Sequence, residues 1–361
     1  MQSSLVYSHD LNAYDLGTEH ALRPERVEGA VAMMRSHDLL GAAGLNVIEP
    51  HPAGREDLER VHDAAYIDAV IRASALGAPD DLSHGIGAGD TPVFAGMHTA
   101  AALVAGGSIE AMRAVLEGGD TRSLAIAGGL HHAHRDRAAG FCVYNDPAAA
   151  IAWALEREPR MRIAYIDIDA HHGDGVQETF WNEPRVLTVS LHESGRYLFP
   201  GTGFPDERGG PLAKDSAANI PLPQYATDAC YDFAFDAAVA PLVSRFRPDL
   251  IVSQNGADAL HSDPLTSLGL TLGGYRMLVE RISALSHRLC EGRLVALGGG
   301  GYDWQEMVPR AWTLLAASLL GREMPASLTE GAGPVLREGA EEHLLRRTRE
   351  VVAEVMRGRE Y

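Results

Sequence analysis

Short runs that are apolar at nearly every position alternate along the chain with longer stretches of mixed, helix-like spacing. The runs are SLVYS (4–8), LNVIE (45–49), SLAIA (123–127), RIAYIDI (162–168), RVLTVSL (185–191), DLIVSQ (249–254) and RLVALG (293–298). Continuous rather than alternating apolarity is the pattern of strands buried on both faces, so these read as strands of a parallel sheet with helices on either side. Helices are predicted over 23–40, opened by Pro24 and closed by Gly41, and over 94–116, stopped by Gly118 and Gly119. Three more are predicted over 227–245, 274–289 and 304–320. After Pro334, Leu344, Leu345, Val351, Val352, Val355 and Met356 recur at helical spacing between Arg and Glu, which predicts a closing helix packed on the body. No linker, repeat or low-complexity segment interrupts the alternation, and residues 1–361 are expected to form one domain.

In open α/β sheets ligands collect beyond the carboxyl ends of the strands. Five of those positions carry uncommon polar groups: His131 and His132 after SLAIA, the segment DIDAHHGDG (167–175), His192 after LTVSL, Asp258 in NGAD, and Tyr302 after four glycines, 298–301. In extended backbone, side chains at i, i+2 and i+4 point the same way, so Asp167, Asp169 and His171 converge on one side. Asp169, His171 and Asp258 would make a three-ligand metal set with an open fourth position, the arrangement of a catalytic zinc; the two carboxylates also suit Fe(II), Co(II) or Mn(II). A metal site of that kind needs a base for water and an acid for a leaving amine. Imidazoles serve both ends, with Asp167 and Asp174 as the nearest spare acids to orient them. The four glycines lack the lysine and spacing of a phosphate loop and instead bring backbone close to the site, presenting the Tyr302 hydroxyl to a developing oxyanion. No G-x-S-x-G elbow is present, and Cys142 reads as a buried, inert thiol.

Charge narrows the partners. The 361 residues hold 31 Lys and Arg against 49 Asp and Glu, a formal charge of −18, which repels nucleic acid and anionic lipid and favours cationic ligands such as lysine side chains or polyamines. The start, MQSSLVYSHD, has no leader pattern and no membrane-length apolar run is evident, so no membrane partner is expected. Three cysteines, Cys142, Cys230 and Cys290, lie far apart and imply a reduced, cytoplasmic setting without disulfides.

Taken together, RPERV (23–27), GDTPVF (89–94), AGGLHHAHRDRAAGFCVYND (127–146), YIDIDAHHGDGVQ (165–177), TVSLH (188–192), FPGTG (199–203), NGADALHSDPL (255–265) and GGGGY (298–302) resemble the zinc-dependent histone deacetylase family. Within it they are most similar to the bacterial acetoin-utilization deacetylases, in the family's order between residues 23 and 302. The resemblance implies an arginase/deacetylase-like three-layer αβα fold with a parallel eight-stranded sheet, and hydrolysis of N-ε-acetyl-lysine through a tunnel ending at zinc. By the same likeness Asp169, His171 and Asp258 hold the metal and Tyr302 donates to the oxyanion. His132, oriented by Asp174, serves as base and then acid, while His131, paired with Asp167, acts mainly by its charge. Gly140, Phe141, Phe199 and Leu265 are implied to line the tunnel, and Asp90 to meet the substrate backbone at its rim. A structural potassium ion is implied at Asp167 and Ser190 with the carbonyls of Asp169, His171 and Leu191, and a second at carbonyls near Phe180, Glu183 and Val186.

Three positions depart from the relatives: Leu130 where eukaryotic members carry tryptophan, Pro264 where some carry arginine, and TEHA (18–21) in place of a Gly-Pro-x-His-Pro turn. They bear on the rim and foot of the tunnel, not on the ligands. Acetylated polyamines are the rival substrates, encouraged by the charge. A ureohydrolase would need a second metal, whose ligand positions His131, His132 and Tyr302 take instead, and a catalytically silent binding protein would not keep the full set.

Overall fold

The computed structural model describes residues 2–79, 82–87, 89–331 and 333–359. Eight strands form one sheet: β1 (Ser3–Val6), β2 (Leu45–Ile48), β3 (Arg122–Ala125), β4 (Ile163–Asp167), β5 (Val186–Glu193), β6 (Ala217–Leu222), β7 (Leu250–Gln254) and β8 (Leu294–Leu297). Their order is β2-β1-β3-β8-β7-β4-β5-β6, and every pairing is parallel. β3, β4, β5, β7 and β8 are buried at every residue, as their continuous apolar runs require.

The helices are α1 (Glu25–Ser36), α2 (Arg55–Glu59), α3 (Ala64–Leu76), α4 (Met97–Leu116), α5 (Asp146–Arg157), α6 (Asp174–Thr179), α7 (Asp228–Ala234), α8 (Ala240–Phe246), α9 (Leu272–Leu289), α10 (Met307–Leu320) and α11 (Ala340–Met356). They pack in two sets, α3 with α4 and α4 with α5 in one, and α1, α10, α9, α7 and α11 in sequence in the other. The helix expected over 227–245 is continuous in space but contains a π-turn, Phe235–Val239, between α7 and α8. Pro241, in the first turn of α8, has no N–H to continue the α-ladder, and the wider turn absorbs the missing bond.

The eighth strand, β6, was not among the apolar runs. Its sequence AANIPL carries Pro221, tolerated because β6 is one of the two edge strands of the sheet. The tail meets the expectation of a closing helix: α11 packs on β6 and α7, and Arg359 donates to the Ala217 carbonyl, so the exposed edge is covered. α4 corrects the reading that no run reaches membrane length. It is long and apolar enough to span a bilayer, but 72% of its apolar window is buried inside the protein, where it packs on β1, β3 and β8.

Candidate active site

β3, β8, β7 and β4 lie side by side although they come from distant parts of the chain, and their carboxyl ends carry the loops that hold the polar groups. β4 ends at Asp167, and Asp169 and His171 follow at alternate positions. The Nδ1–H of His171 donates to Asp258 Oδ2 at 2.9 Å and lies 3.2 Å from Asp169 Oδ1. One donor atom from each of the three residues falls within 4.8 Å of the others, and all three residues are buried. Burial opposes charge on His171, yet its bonds to Asp169 and Asp258 outweigh burial and push its pKa up to about 10. A proton shared among one nitrogen and two carboxylate oxygens marks where a divalent cation fits, and the nitrogen-plus-two-oxygen set matches zinc or a harder first-row ion.

The oxygens facing away from this centre are held by the protein. Gln254 Nε2 and the Gly300 N–H both donate to Asp169 Oδ2 at 2.7 Å, and the Ala170 N–H donates to Asp258 Oδ1 at 2.9 Å. Gly300 is required here by contact: a Cβ would sit 2.0 Å from Asp258 Oδ2. Gly300→Ala is therefore expected to weaken zinc binding on the order of 10-fold, as loss of a ligand-orienting partner does, measured by competition with a fluorescent chelator. Unchanged affinity would show that the loop after β8 does not shape the ligand set.

His131 and His132 face this cluster from the loop after β3. Their Nε2 atoms are 3.0 Å apart, while His131 Nδ1 donates to Asp167 at 2.8 Å and His132 Nδ1 donates to Asp174 at 2.7 Å. The loop is clamped from behind by the start of α5. Asp146 accepts from the N–H groups of Gly129 and Leu130 at 2.9 and 2.7 Å, and Asn145 Nδ2 donates to the carbonyls of His131 and Ala133 at 3.1 and 2.9 Å. The two imidazoles are driven apart in charge. Burial and the neighbouring His131 charge push His132 down to about 4; for His131 burial also opposes charge, but Asp167, Asp169 and Asp174 prevail and push it up to about 9.

Tyr302 stands across the site, its ring edge-on to Phe141 at 5.8 Å and near His171 at 6.4 Å. Its backbone N–H donates to Asp263 Oδ2 at 2.9 Å, and Asp263 Oδ1 accepts from the Leu265 N–H at 2.9 Å, so one carboxylate ties the tyrosine to the loop of Leu265. Burial, then the charges of Asp258 and Asp169, push the phenol well above its usual range and keep its proton on.

Of the residues expected at the tunnel, Phe199 lies edge-on to His132 at 5.0 Å and is 44% exposed. Gly140 has φ +52°, and a Cβ there would meet His132 Cδ2 at 2.4 Å and Phe199 at 2.8 Å. Phe141 packs between Tyr302 and His20, whose ring is 4.5 Å away, and its carbonyl accepts from the Tyr14 hydroxyl at 2.6 Å. Leu265 is 39% exposed, and Asp90 is half-buried with its carbonyl accepting from His20 Nε2 at 3.1 Å. The divergent TEHA turn therefore places His20 against both Phe141 and Asp90. Leu130, another divergent residue, is buried and lines a cavity of about 10 Å³, room for one water, together with Leu22, Cys142 and Tyr302.

At the positions expected to hold potassium, Asp167 and Ser190 are register partners on β4 and β5, and Leu191 follows in β5. The carbonyls of Phe180 and Glu183 each accept a backbone N–H, from Glu183 and Val186, at 3.0 and 3.1 Å. His192 does not join the metal cluster: its Nδ1 accepts from Ser190 and its Nε2 donates to the Gly203 carbonyl at 2.9 Å, bracing the loop that carries Phe199. Gln254, Asp263 and Tyr165, whose hydroxyl donates to Asp167 at 2.8 Å, support the site without a sequence motif to mark them. So does Arg26, a buried cation over the Trp312 ring at 5.2 Å that donates to the Gly299 carbonyl.

Known proteins share this architecture. A histone deacetylase domain model matches residues 20–319. The chain is 42% identical over 325 residues to the acetoin utilization protein AcuC of Bacillus subtilis (strain 168), covering 88% of this chain and 82% of that protein. It is 33% identical over 321 residues to AcuC of Staphylococcus aureus (strain MRSA252), with shares of 88% and 82%. The fold matches the crystal structure of an HDAC homolog from Aquifex aeolicus with a TM-score of 0.85 at 30% identity, over 96% of this chain and 100% of that one. An HDAC homolog complexed with SAHA matches to the same extent, with a TM-score of 0.85.

Proposed function

The chain belongs to the histone deacetylase family, as a deacetylase with a buried Asp-His-Asp metal site, and from that premise we propose that it hydrolyses N-ε-acetyl-lysine in proteins to lysine and acetate. The observation that carries this reading is the convergence, in one buried site, of the Asp169, His171 and Asp258 donors with two Asp-paired histidines and a protonated tyrosine. In this reading Asp169, His171 and Asp258 hold zinc, with Fe(II) or Co(II) as substitutes. A divalent ion there supplies Lewis-acid polarisation of a carbonyl and makes water a stronger nucleophile.

The protein's own groups then have separate tasks. The neutral His132 Nε2 takes the proton of the attacking water and passes it to the departing amine nitrogen, while Asp174 holds Nδ1–H and fixes the tautomer. His131, charged and paired with Asp167, stabilises negative charge in the site, and the Tyr302 hydroxyl donates to the oxyanion formed from the acetyl carbonyl. Gly140, Phe141, Phe199 and Leu265 enclose the lysine methylenes, and Asp90 accepts from the substrate backbone at the rim. We assign structural potassium to Asp167, Ser190 and the carbonyls of Asp169, His171 and Leu191, and a second ion to the backbone of Phe180, Glu183 and Val186. The protein is read as one deacetylase domain over 1–361, working in the cytoplasm on acetylated proteins, with no nucleic acid or membrane partner.

The charge of −18 favours a second reading, hydrolysis of acetylated polyamines, which are themselves cationic. The zinc-loaded protein should be assayed side by side on an acetyl-lysine peptide, acetylputrescine and acetylspermidine, with Tyr302→Phe as the blank. A higher kcat/KM for the peptide is the expected result; a higher value for the polyamines would replace the first reading with the second.

A further inference from the structure

The carboxylate that orients His132 is itself held from its other side. Asp174 Oδ1 accepts from His132 at 2.7 Å, and Asp174 Oδ2 lies 3.2 Å from His134 Nε2. His134 Nδ1 in turn sits 2.5 Å from Glu178 Oε2, one turn further along α6. The result is a chain His132–Asp174–His134–Glu178 running from the buried site to a carboxylate whose side chain is 52% exposed. His134 is 7% exposed, and its main chain is also pinned: its N–H donates to the Arg137 carbonyl at 2.9 Å and its carbonyl accepts from His62 Nδ1 at 2.8 Å. An open cleft of about 580 Å³, lined by His134, Asp174, Glu178 and Trp181, reaches this chain from solvent.

The other histidine has a different brace. Asp167, behind His131, accepts from the Tyr165 hydroxyl at 2.8 Å and the Asp169 N–H at 3.1 Å, deep in the protein. Asp174 opens onto the cleft, and without His134 its outer oxygen would be bound by exchanging water. We propose that His134 is a positioning residue for the reaction, clamping the outer oxygen of Asp174 so that Asp174 holds the His132 imidazole in the orientation and tautomer a base needs. It rests on the assignment of His132 as the base. Lying between two carboxylates, His134 satisfies both by donating from both nitrogens, and the positive charge this requires offsets that of Asp174. Burial opposes that charge, but Asp174 and Glu178 from α6 outweigh both burial and the nearby Arg137, and the His134 pKa is raised.

The test compares His134→Leu, His134→Gln, Asp174→Asn and the double variant His134→Leu/Asp174→Asn in the full-length, zinc-loaded protein on an acetyl-lysine peptide. Thermal melts establish that each is folded. His134→Leu is expected to lower kcat about 10-fold with KM unchanged, as for loss of an outer-shell partner. His134→Gln, which keeps an N–H for Asp174, should recover most of the rate and carries the test if the leucine variant unfolds. The double variant should be no slower than Asp174→Asn alone, because His134 acts only through that carboxylate. In the metal-free protein, the His132 Nδ1–H proton resonance should be lost to exchange in His134→Leu and kept in His134→Gln. Wild-type kcat in His134→Leu, losses that multiply in the double variant, or an unaltered His132 resonance would each overturn the inference. Full activity in Asp174→Asn would instead overturn the assignment of the base.

Discussion

Tyr302→Phe is expected to lower kcat on an acetyl-lysine peptide by about 10²-fold or more, the cost of removing one oxyanion donor. The substitution isolates the hydroxyl. The ring contacts to Phe141 at 5.8 Å and His171 at 6.4 Å, and the backbone bond to Asp263 at 2.9 Å, do not involve the phenol oxygen and remain available to phenylalanine. A hundredfold loss corresponds to about 2.7 kcal/mol of transition-state stabilisation, more than a lost neutral hydrogen bond typically contributes in water. The site can give the donor that weight because it is water-poor and because the donor is in place beforehand. Burial and the charges of Asp258 and Asp169 keep the phenol protonated across the working pH range, so it donates rather than ionises. Since the oxyanion exists only during the reaction, KM should change little, and steady-state kinetics with zinc content measured in both proteins would separate the two parameters. Activity within a few-fold of wild type, at equal zinc, would remove Tyr302 from the chemistry.

The sequence was most readable where structure and chemistry share a short period. Asp167 ends one strand and Asp169 and His171 follow at alternate positions, a spacing the strand rule makes readable. The backbone nonetheless bends beyond Asp167, the Asp169 N–H donating to Asp167 at 3.1 Å and the His171 N–H to Asp169 at 3.0 Å. Six strands were legible because burial on both faces leaves few polar positions to interrupt them, and β2, a partly exposed edge strand, was legible from Leu45, Val47 and Ile48 alone. β6 was not, because an edge strand admits Asn219 and Pro221, which break the apolar run. α5 was passed over for the opposite reason: Asp146 through Leu155 is buried almost all round, so its alanine-rich sequence shows no polar stripe to set a helical period. Its opening residues nonetheless hold the His131–His132 loop, through Asp146 and Asn145. The supporting residues were hidden by distance along the chain. Gln254 reaches Asp169 across 85 positions and Arg26 reaches Gly299 across 273, contacts that only the sheet order creates. In that order β7 and β8 insert between β3 and β4, so the loops carrying Asp258 and Tyr302 reach the same site as the histidines, while His131 still bonds Asp167 at the end of β4 directly.

His132→Ala should cost more than any positioning change, roughly 10²- to 10⁴-fold in kcat, the range for a lost acid-base group. The adjacent histidine is poorly suited to substitute. At neutral pH His131, pushed up to about 9 by Asp167, Asp169 and Asp174 against the opposing effect of burial, already carries its proton and has no lone pair to offer. His132, pushed down to about 4 by burial and by that charge, is neutral and free to accept one. Two imidazoles in contact thus differ in protonation because their carboxylates and neighbours differ, a separation that supports the proposed base and electrostatic roles. The sign of the pH dependence follows. A base whose pKa is depressed is fully available at pH 7 and is lost only as the pH falls toward about 4, so the wild-type kcat/KM should decline on the acid side. In His132→Ala that acid limb should disappear along with most of the rate, whereas an alanine variant that keeps the wild-type limb would place the base on another group.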